Sequence, residues 1–288
     1  MTTPSRNRTG ADAATLLSCA GRRVGRYVHR PHLARRLSPR PYLHPLTTLA
    51  GVPVTELMPG DHPHHLGVSI AVPDVAGANF WGGRTYVRGR GPTELDNHGE
   101  QRHAGWLLRD PDGFVEELSW YADGAEVLRE RRAVAVAPAG AGAWALGVSF
   151  ALTNVSGAPV SFGSPATNGR PGAGYGGYFW RAPRTERPPR VFTAAAEGED
   201  AVHGRPARWL ALASDAWTLV FAGATDATRR DPWFVRTRDY PGVGSALAWS
   251  ARVPLAPGES LTRRVVTAVA DGRLDRAAAA ALARRAVA

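Results

Sequence analysis

A strict alternation of large and small residues near the middle of the chain most constrains its fold. In "WALGVSFAL", Trp144 to Leu152, every second residue is large, and Ala, Gly, Ser and Ala lie between them. This period of two is the repeat of a β-strand that carries large groups on one face and small groups on the other. Trp217, Leu219 and Phe221 repeat the pattern. The chain is therefore predicted to be rich in strands.

Turn residues divide the sequence into short elements. The chain has 32 Gly and 23 Pro, which favour turns over long helices. In "LAPGESLTRRVVTAVA" we expect a strand, a turn at Pro257-Gly258 and a second strand. A helix is expected only over Arg273–Ala288, where Ala dominates. Strands with a turn at roughly every tenth residue predict an all-β fold, a large antiparallel β-sandwich with a short C-terminal helix.

Composition indicates one domain and no nucleic-acid partner. We find neither a linker nor an internal repeat, so residues 1–11 are predicted to be a disordered tail and residues 12–288 a single β-sandwich domain. All 35 basic residues are Arg, and the net charge is +10. Nine of these arginines and only one acid lie in residues 1–40, whereas residues 41–288 hold 26 Arg and 24 acids. The body is therefore nearly neutral, without the basic stripe that nucleic-acid binding needs.

The single cysteine and the shortness of the apolar runs indicate the cellular compartment in which the protein is expected. Cys19 has no second cysteine with which to form an intrachain disulfide, which fits a reducing compartment. No apolar run approaches the ~18 residues of a membrane span. We therefore expect a soluble, cytoplasmic protein with no membrane partner.

A glycine-rich stretch matches a nucleotide-binding motif in spacing only. Gly172–Gly177, "GAGYGG", fits G-x-G-x-x-G, but "YFWRAP" follows it, which is strand-like and ends at a proline. A dinucleotide site needs a helix at that point, so we expect no NAD. Arg170 and Arg181 flank the loop and could hold an anionic or hydroxyl-rich ligand. The chain has no G-x-S-x-G motif to suggest a serine nucleophile.

Three histidines in four residues form the most unusual motif. The stretch "DHPHH" runs from Asp61 to His65, and Pro63 excludes a helix interior. In an extended chain His62 and His64 would share one face and His65 would lie opposite. Imidazoles at this spacing can bind a divalent metal together with Asp61. They can also move protons near neutral pH or simply stabilise a turn, and the sequence leaves metal binding and acid–base chemistry open.

Other polar and aromatic residues are candidates for the same site. His44 and His98 are further histidines, and carboxylates that might pair with the cluster are Glu130, Glu197, Glu199 and Asp200. Aromatic residues stand beside glycine and arginine in three segments, and these contain Trp81 with Arg84, Tyr175, and Arg236. Flat rings next to hydrogen-bonding groups are typical of a sugar pocket.

Several of these motifs together resemble a bacterial family, the methane oxygenase PmoA family. The resemblance runs from Arg26 to Gly272 and is carried by "RPYLHPLTTLAGVPVTELMPGDHPHHLGVSIA", "FWGGRTYVRGRG", "DNHG", "SPATNGRPGAGYGGYFWRAP", "PWFVRTRDYPGVGSALAW" and "PGESLTRRVV". It implies a large β-sandwich similar to galactose mutarotase and other aldose-epimerase-like proteins, a supersandwich. It also implies a role in sugar utilisation.

The motifs and the resemblance lead to one preferred hypothesis. We expect an enzyme that acts on a sugar or a keto-glycoside by general acid–base chemistry, as a hydrolase, lyase or epimerase. The expected catalytic residues are His64, His65, His98 and His44. The expected substrate-binding residues are Trp81, Arg84, Arg170, Tyr175, Arg181 and Arg236. A divalent metal, if one is used, would bind His62, His64 and Asp61. The alternatives are a non-catalytic carbohydrate-binding protein and the metal-dependent oxygenase that the family label implies.

Overall fold

The structure, a computed structural model, describes residues 13–288, so the predicted tail at residues 1–11 lies outside the described residues. Twenty strands and three α-helices form within the described range. In chain order the strands are β1 (Ala13–Cys19), β2 (Arg22–Arg30), β3 (Tyr42–Leu46), β4 (Val68–Ala71), β5 (Asp74–Val75), β6 (Thr85–Val87), β7 (Gly91–Thr93), β8 (Glu100–Asp110), β9 (Gly113–Ala122), β10 (Ala125–Gly140), β11 (Ala143–Asn154), β12 (Val160–Gly163), β13 (Gly177–Arg181), β14 (Arg190–Phe192), β15 (Trp209–Ala213), β16 (Trp217–Gly223), β17 (Trp233–Arg236), β18 (Gly242–Ala246), β19 (Val253–Leu255) and β20 (Ser260–Asp271). The helices are α1 (Glu199–Val202), α2 (Asp226–Arg230) and α3 (Arg276–Val287).

Two large sheets form the body of the fold. One has seven strands in the order β1-β2-β3-β4-β13-β18-β17, and the other has eight in the order β14-β15-β16-β20-β11-β10-β9-β8. Neighbouring strands in both sheets are antiparallel. Side chains from both sheets share one hydrophobic core, and across it the Tyr178 hydroxyl lies 2.8 Å from that of Thr267. The predicted all-β antiparallel sandwich is confirmed.

The alternation that predicted a strand belongs to β11. Trp144, Leu146 and Phe150 are almost fully buried in the core between the sheets. The small residues face the other way, and Ala145 packs in a second cluster with Leu282 of α3. One face of β11 therefore needs bulk to fill the core, and the other needs small side chains because a helix lies on it.

Helix α3 confirms the expected C-terminal helix. It starts three residues later than the predicted Arg273, since the Asp275 side chain accepts a hydrogen bond of 2.8 Å from the Ala278 amide and caps the helix at that point. None of the helices in the described part of the chain is both long and apolar enough to cross a membrane.

A buried polar network crosses the core. Arg132 on β10 donates to Glu130 at 2.7 Å and to the hydroxyl of Tyr27 on β2 at 3.0 Å. The indole of Trp120 also donates to Glu130, at 2.8 Å. The ion pair and its hydrogen bonds offset the cost of burying these charges. Glu130, a candidate partner for the histidine cluster, is thus engaged inside the sandwich.

Candidate functional site

The outer face of the seven-stranded sheet carries a second aromatic cluster. Along β13 the side chains of Tyr178 and Trp180 point into the core, so Phe179 between them points outward. Phe234 on β17 also belongs to the outer cluster, while its neighbour Trp233 belongs to the core. The rigid strands therefore present an apolar floor on which loops build a pocket.

A cavity of about 590 Å³ lies over this floor. Residues named from the sequence that line it are Asp61, His62, His64, His65, Trp81, Arg84, Arg170, Tyr175 and Arg236. Lining residues that the sequence analysis missed are Arg36, Glu94, Phe234, Asp239 and Tyr240. The fold thus brings together residues from five separate parts of the chain.

The histidine stretch is a pair of tight turns and not an extended segment, so His62 and His64 do not share the face that an extended chain would give them. The amides of His62 and His65 each donate 2.9 Å hydrogen bonds to a carbonyl three residues earlier. The turns bring the rings together. His62 stacks on His65 with centroids 4.6 Å apart, and His64 meets His65 edge-on at 4.8 Å. The three imidazoles form one continuous wall of the pocket.

Two glycines let a neighbouring loop pack against this wall. Gly82 and Gly83 have φ values of +98° and +69°, where side chains are strained. A Cβ on Gly82 would lie 2.8 Å from the His64 Cβ, and one on Gly83 would lie 2.9 Å from the His64 Nδ1. The "WGG" sequence is therefore required for the loop to approach the imidazole.

Asp61 and His62 form a carboxylate–imidazole pair. Asp61 Oδ2 lies 3.1 Å from His62 Nδ1 and accepts a hydrogen bond of 2.8 Å from Arg184. Burial acts to raise the pKa of Asp61, but its contacts with His62 and Arg184 outweigh it and lower that pKa. The carboxylate is ionised near neutral pH and lies beside the Nδ1 atom of the His62 ring.

The other two histidines of the wall are neutral at physiological pH. Burial, followed by the nearby Arg40 guanidinium, lowers the pKa of His64 to about 3. Burial and the neighbouring His64 and His62 hold the pKa of His65 well below its usual value. A neutral imidazole offers one hydrogen-bond donor and one acceptor. His64 and His65 are therefore better suited to binding hydroxyl groups than to taking up a proton.

Aromatic rings line the cavity beside the histidine wall, and the Trp81 and Tyr240 rings contact His65 edge-on. Trp81 and Tyr175 lie with ring centroids 4.6 Å apart, and the Tyr240 ring lies 4.8 Å from that of His62. Burial raises the pKa of both tyrosines, so their hydroxyls stay protonated and can donate hydrogen bonds. These rings offer a ligand a flat apolar surface, and the two tyrosines add polar hydroxyl groups.

The predicted arginines take different places around the pocket. Arg84 lies at the rim, 3.0 Å from Glu94. Arg236 is held over the Phe234 ring at 4.7 Å. Arg181 does not line the cavity, because it is fully buried behind the Tyr240 ring at 4.3 Å. It supports that ring and cannot contact a ligand in this arrangement, contrary to the expected substrate-binding role.

The structure does not bring His44 or His98 into the pocket lining. The His44 Nδ1 lies 3.0 Å from the Thr55 hydroxyl, beside strand β3. His98 lies behind the glycine loop, with Nε2 2.8 Å from the carbonyl oxygen of Gly83. His98 holds the loop that packs on His64, so its contact with the site is indirect.

The other candidate carboxylates are also engaged elsewhere. Glu199 accepts hydrogen bonds from the amides of Thr237, at 2.7 Å, and Arg238, at 3.1 Å, and so fixes the turn that carries Tyr240. Asp200 pairs with Arg238, and Glu197 with Arg190 and Arg276. The carboxylate that pairs with the cluster is its own neighbour, Asp61.

A metal site at Asp61, His62 and His64 stays a prediction. Asp61 and His62 contact each other, and the imidazoles pack on one another ring to ring. Within residues 13–288, no group of three His, Cys, Asp or Glu side chains is arranged as metal ligands.

Solved structures that resemble the chain are lyases of much greater length. The heparan sulfate lyase HepC from Pedobacter heparinus is 8% identical with a TM-score of 0.30, over 62% of this chain and 24% of that one. A polysaccharide lyase is 12% identical with a TM-score of 0.38, over 86% of this chain and 32% of that one. Heparinase III is 8% identical with a TM-score of 0.36, over 93% of this chain and 38% of that one. Because this chain spans only 24–38% of their length at low similarity, we argue its function from its own side chains.

A comparison with protein families gives a match over nearly the whole chain. Residues 14–284 match a family described as "Family of unknown function (DUF6807)". The expected membership of the methane oxygenase PmoA family is therefore wrong. No curated protein matches the sequence.

Proposed function

We propose a function for this chain, which belongs to the DUF6807 family of unknown function: it is a carbohydrate-active enzyme that uses general acid–base chemistry. The observation that carries the proposal is the arrangement of the pocket. An Asp61–His62 pair, two neutral imidazoles and a group of aromatic rings line one cavity of about 590 Å³. A cavity of this size fits a sugar residue or a short glycoside.

The pocket offers both kinds of contact that a sugar needs. The rings of Trp81 and Tyr175 can cover the apolar C–H face of a pyranose. The neutral imidazoles of His64 and His65 and the Tyr240 hydroxyl can exchange hydrogen bonds with its hydroxyl groups. Binding by these groups would hold the sugar against the histidine wall.

His62 is the proton acceptor in this proposal. Its Nε2 takes a proton from the bound sugar, and the Asp61 carboxylate stabilises the imidazolium that forms, as in other carboxylate–imidazole pairs. The Tyr240 phenol is kept protonated by burial and lies beside His62, so it can donate a proton or a hydrogen bond to the oxygen that gains charge.

The charges in the pocket favour an elimination or an epimerisation over hydrolysis. Glycosidases use two carboxyl groups, one of which acts as a proton donor. Of the three lining carboxylates, Asp61 is paired with Arg184 and His62, Glu94 is paired with Arg84, and Asp239 alone is exposed without such a pair among the described residues. Proton abstraction by an imidazole with phenol assistance matches the available groups better.

The experiment is a turnover assay with matched variants. The protein is incubated in D₂O with a panel of neutral and acidic sugars and their methyl glycosides, and NMR follows deuterium incorporation and product formation. We expect His62→Gln to lower the rate by roughly 10²-fold or more, since a general base contributes about that much. Asp61→Asn should lower the rate at least about ten-fold, because the ring loses its orienting carboxylate. His32→Gln is the control, an exposed histidine outside the pocket.

Two results would contradict the proposal. Unchanged turnover in His62→Gln would show that His62 is not the base. Saturable sugar binding without deuterium incorporation or product over the whole panel would identify a non-catalytic binding protein.

A further inference from the structure

The pocket contains more positive charge than its acids neutralise. Four arginines line it, Arg36, Arg84, Arg170 and Arg236, and the lining carboxylates are Asp61, Glu94 and Asp239. Two of these carboxylates are already engaged. Asp61 accepts from Arg184, which lies outside the lining, at 2.8 Å, and Glu94 accepts from Arg84 at 3.0 Å. Glu199, outside the lining, lies 3.7 Å from Arg236, so little negative charge remains for Arg36 and Arg170.

Within residues 13–288, two of the lining arginines, Arg36 and Arg170, have side chains that form no hydrogen bond or ion pair. Their backbones are nevertheless fixed. The Arg36 carbonyl accepts from Gly83 at 2.8 Å, and the Arg170 amide donates to Pro165 at 2.9 Å. Both side chains are thus carried on well-held loops at the cavity, free to bind a ligand.

A buried arginine behind the wall adds to this charge. Arg40 is 1% exposed, and its guanidinium donates only to uncharged oxygens, including the carbonyls of Leu37 at 3.0 Å, Trp81 at 3.0 Å and His64 at 2.7 Å. Burial and the nearby Arg132 lower the pKa of Arg40 to about 9, so it remains a cation at neutral pH. Within the described residues no carboxylate contacts the Arg40 guanidinium. Its charge therefore acts strongly on neighbouring groups, because the protein interior has a low dielectric constant.

Arg181, on the other side of the wall, also has unused hydrogen-bonding capacity. It is fully buried, it forms an ion pair with Glu56 at 2.8 Å, and its Nη1 has no hydrogen-bond partner within the described part of the chain. Glu56 offsets the charge of Arg181, so the positive charge behind the imidazoles is chiefly that of Arg40. A neutral sugar would leave the Arg40 charge uncompensated, whereas an anion would offset it.

We propose that the substrate is an acidic sugar, a uronic acid or a glycoside of one, whose carboxylate is bound by Arg36 and Arg170. This inference rests on the proposed function, because it assigns a substrate class to the same pocket. Guanidinium groups bind carboxylates through paired, charge-assisted hydrogen bonds. The two arginines therefore determine specificity, and the aromatic rings hold the sugar ring.

The test compares sugars that differ only in the charged group. Methyl glucuronide and methyl glucoside, and the matching galacto pair, are titrated into the full chain by calorimetry at low and high salt. We expect the acidic member of at least one pair to bind roughly ten- to a hundred-fold more tightly, the range of a hydrogen bond to a charged group. Salt should reduce the preference, since it screens charges at an open pocket.

Variants assign the preference to the two arginines. Arg36→Gln and Arg170→Gln should each reduce binding of the acidic sugar and leave binding of the neutral sugar unchanged. Arg187→Gln is the matched control, an exposed arginine outside the pocket, and should behave as the unmodified protein.

The outcomes separate the two proposals. Equal affinity for both members of each pair would overturn the acidic substrate and leave the carbohydrate site standing. A preference for the acidic sugar that survives both arginine variants would overturn the assignment to Arg36 and Arg170. Binding of neither kind of sugar would overturn the proposed function as well.

Discussion

The residue whose role is least visible in the sequence is Arg40. It is one of 35 arginines, and no motif marks it. In the structure its guanidinium connects three parts of the site, since it donates to Leu37, Trp81 and His64. This role depends on the burial of the Arg40 side chain. Burial results from contacts between distant segments of the chain, so it cannot be deduced from residue 40 alone.

Removing the Arg40 guanidinium should destabilise the protein. In Arg40→Met, the carbonyls of Leu37, Ser38, Trp81 and His64 lose a buried donor. We expect the free energy of unfolding to fall by about 3 kcal/mol. Each unsatisfied buried acceptor costs about 1–3 kcal/mol, and local rearrangement recovers part of the total cost. Urea denaturation measures this, with Arg187→Met as the exposed control. Equal stability of both variants would show that Arg40 does not hold the wall together.

The histidines show what residue type alone can predict. The density of histidines in Asp61–His65 correctly marked a place where the pocket forms. The same reasoning selected His44 and His98, which the structure places outside the lining, because sequence gives no direction for a side chain on a loop. It placed His62 with His64 and Asp61 in a metal site, which stays a prediction, and the structure puts Asp61 3.1 Å from the His62 Nδ1.

At the scale of elements, strand patterns were predictable and loop shapes were not. Alternation correctly predicted β11 and β16, since burial on one face leaves a periodic signal, and the alanine content correctly predicted helix α3. The same signal lies in β13, where Phe179 alternates with Tyr178 and Trp180. The turns of the histidine stretch depend on backbone hydrogen bonds that have no period, so the sequence left an extended chain and a turn both open.

The glycine loop at Trp81–Arg84 provides a test at this scale. Gly82→Ala should weaken sugar binding and reduce turnover at least about ten-fold, because the added Cβ would lie 2.6 Å from the Leu37 carbonyl and 2.8 Å from the His64 Cβ. Gly89→Ala is the matched control. Its φ is also positive, at +75°, but a Cβ there meets nothing within 4 Å.

Comparing the two variants separates the effect of backbone strain from the effect of a new contact between the added Cβ and His64. Both substitutions carry the cost of a left-handed backbone, roughly 1 kcal/mol. Only Gly82→Ala also pushes the loop away from His64, so binding and turnover should differ while both proteins fold. Wild-type binding in Gly82→Ala would contradict the claim that this close approach shapes the pocket.

At the scale of the whole molecule, the sequence predicts the class of fold but not the order of its strands. The seven-stranded sheet places β4 beside β13 and β13 beside β18, neighbours separated by long stretches of chain. This order brings the β3–β4 loop, the glycine loop and the segments around Tyr175 and Tyr240 over one sheet face. Tyr240 was missed for this reason, since its segment lies far from the histidines in sequence.

The central claim is that a sugar binds in this pocket with its reacting atom at His62. The most direct measurement is a crystal structure of His62→Gln, expected to bind but not to turn over, with methyl glucuronide. We predict the sugar ring on Trp81 and Tyr175, its carboxylate within about 3.2 Å of Arg36 or Arg170, and a carbon-bound or hydroxyl hydrogen directed at the residue-62 side chain. A sugar bound at another surface, with this pocket empty under saturating conditions, would contradict the account.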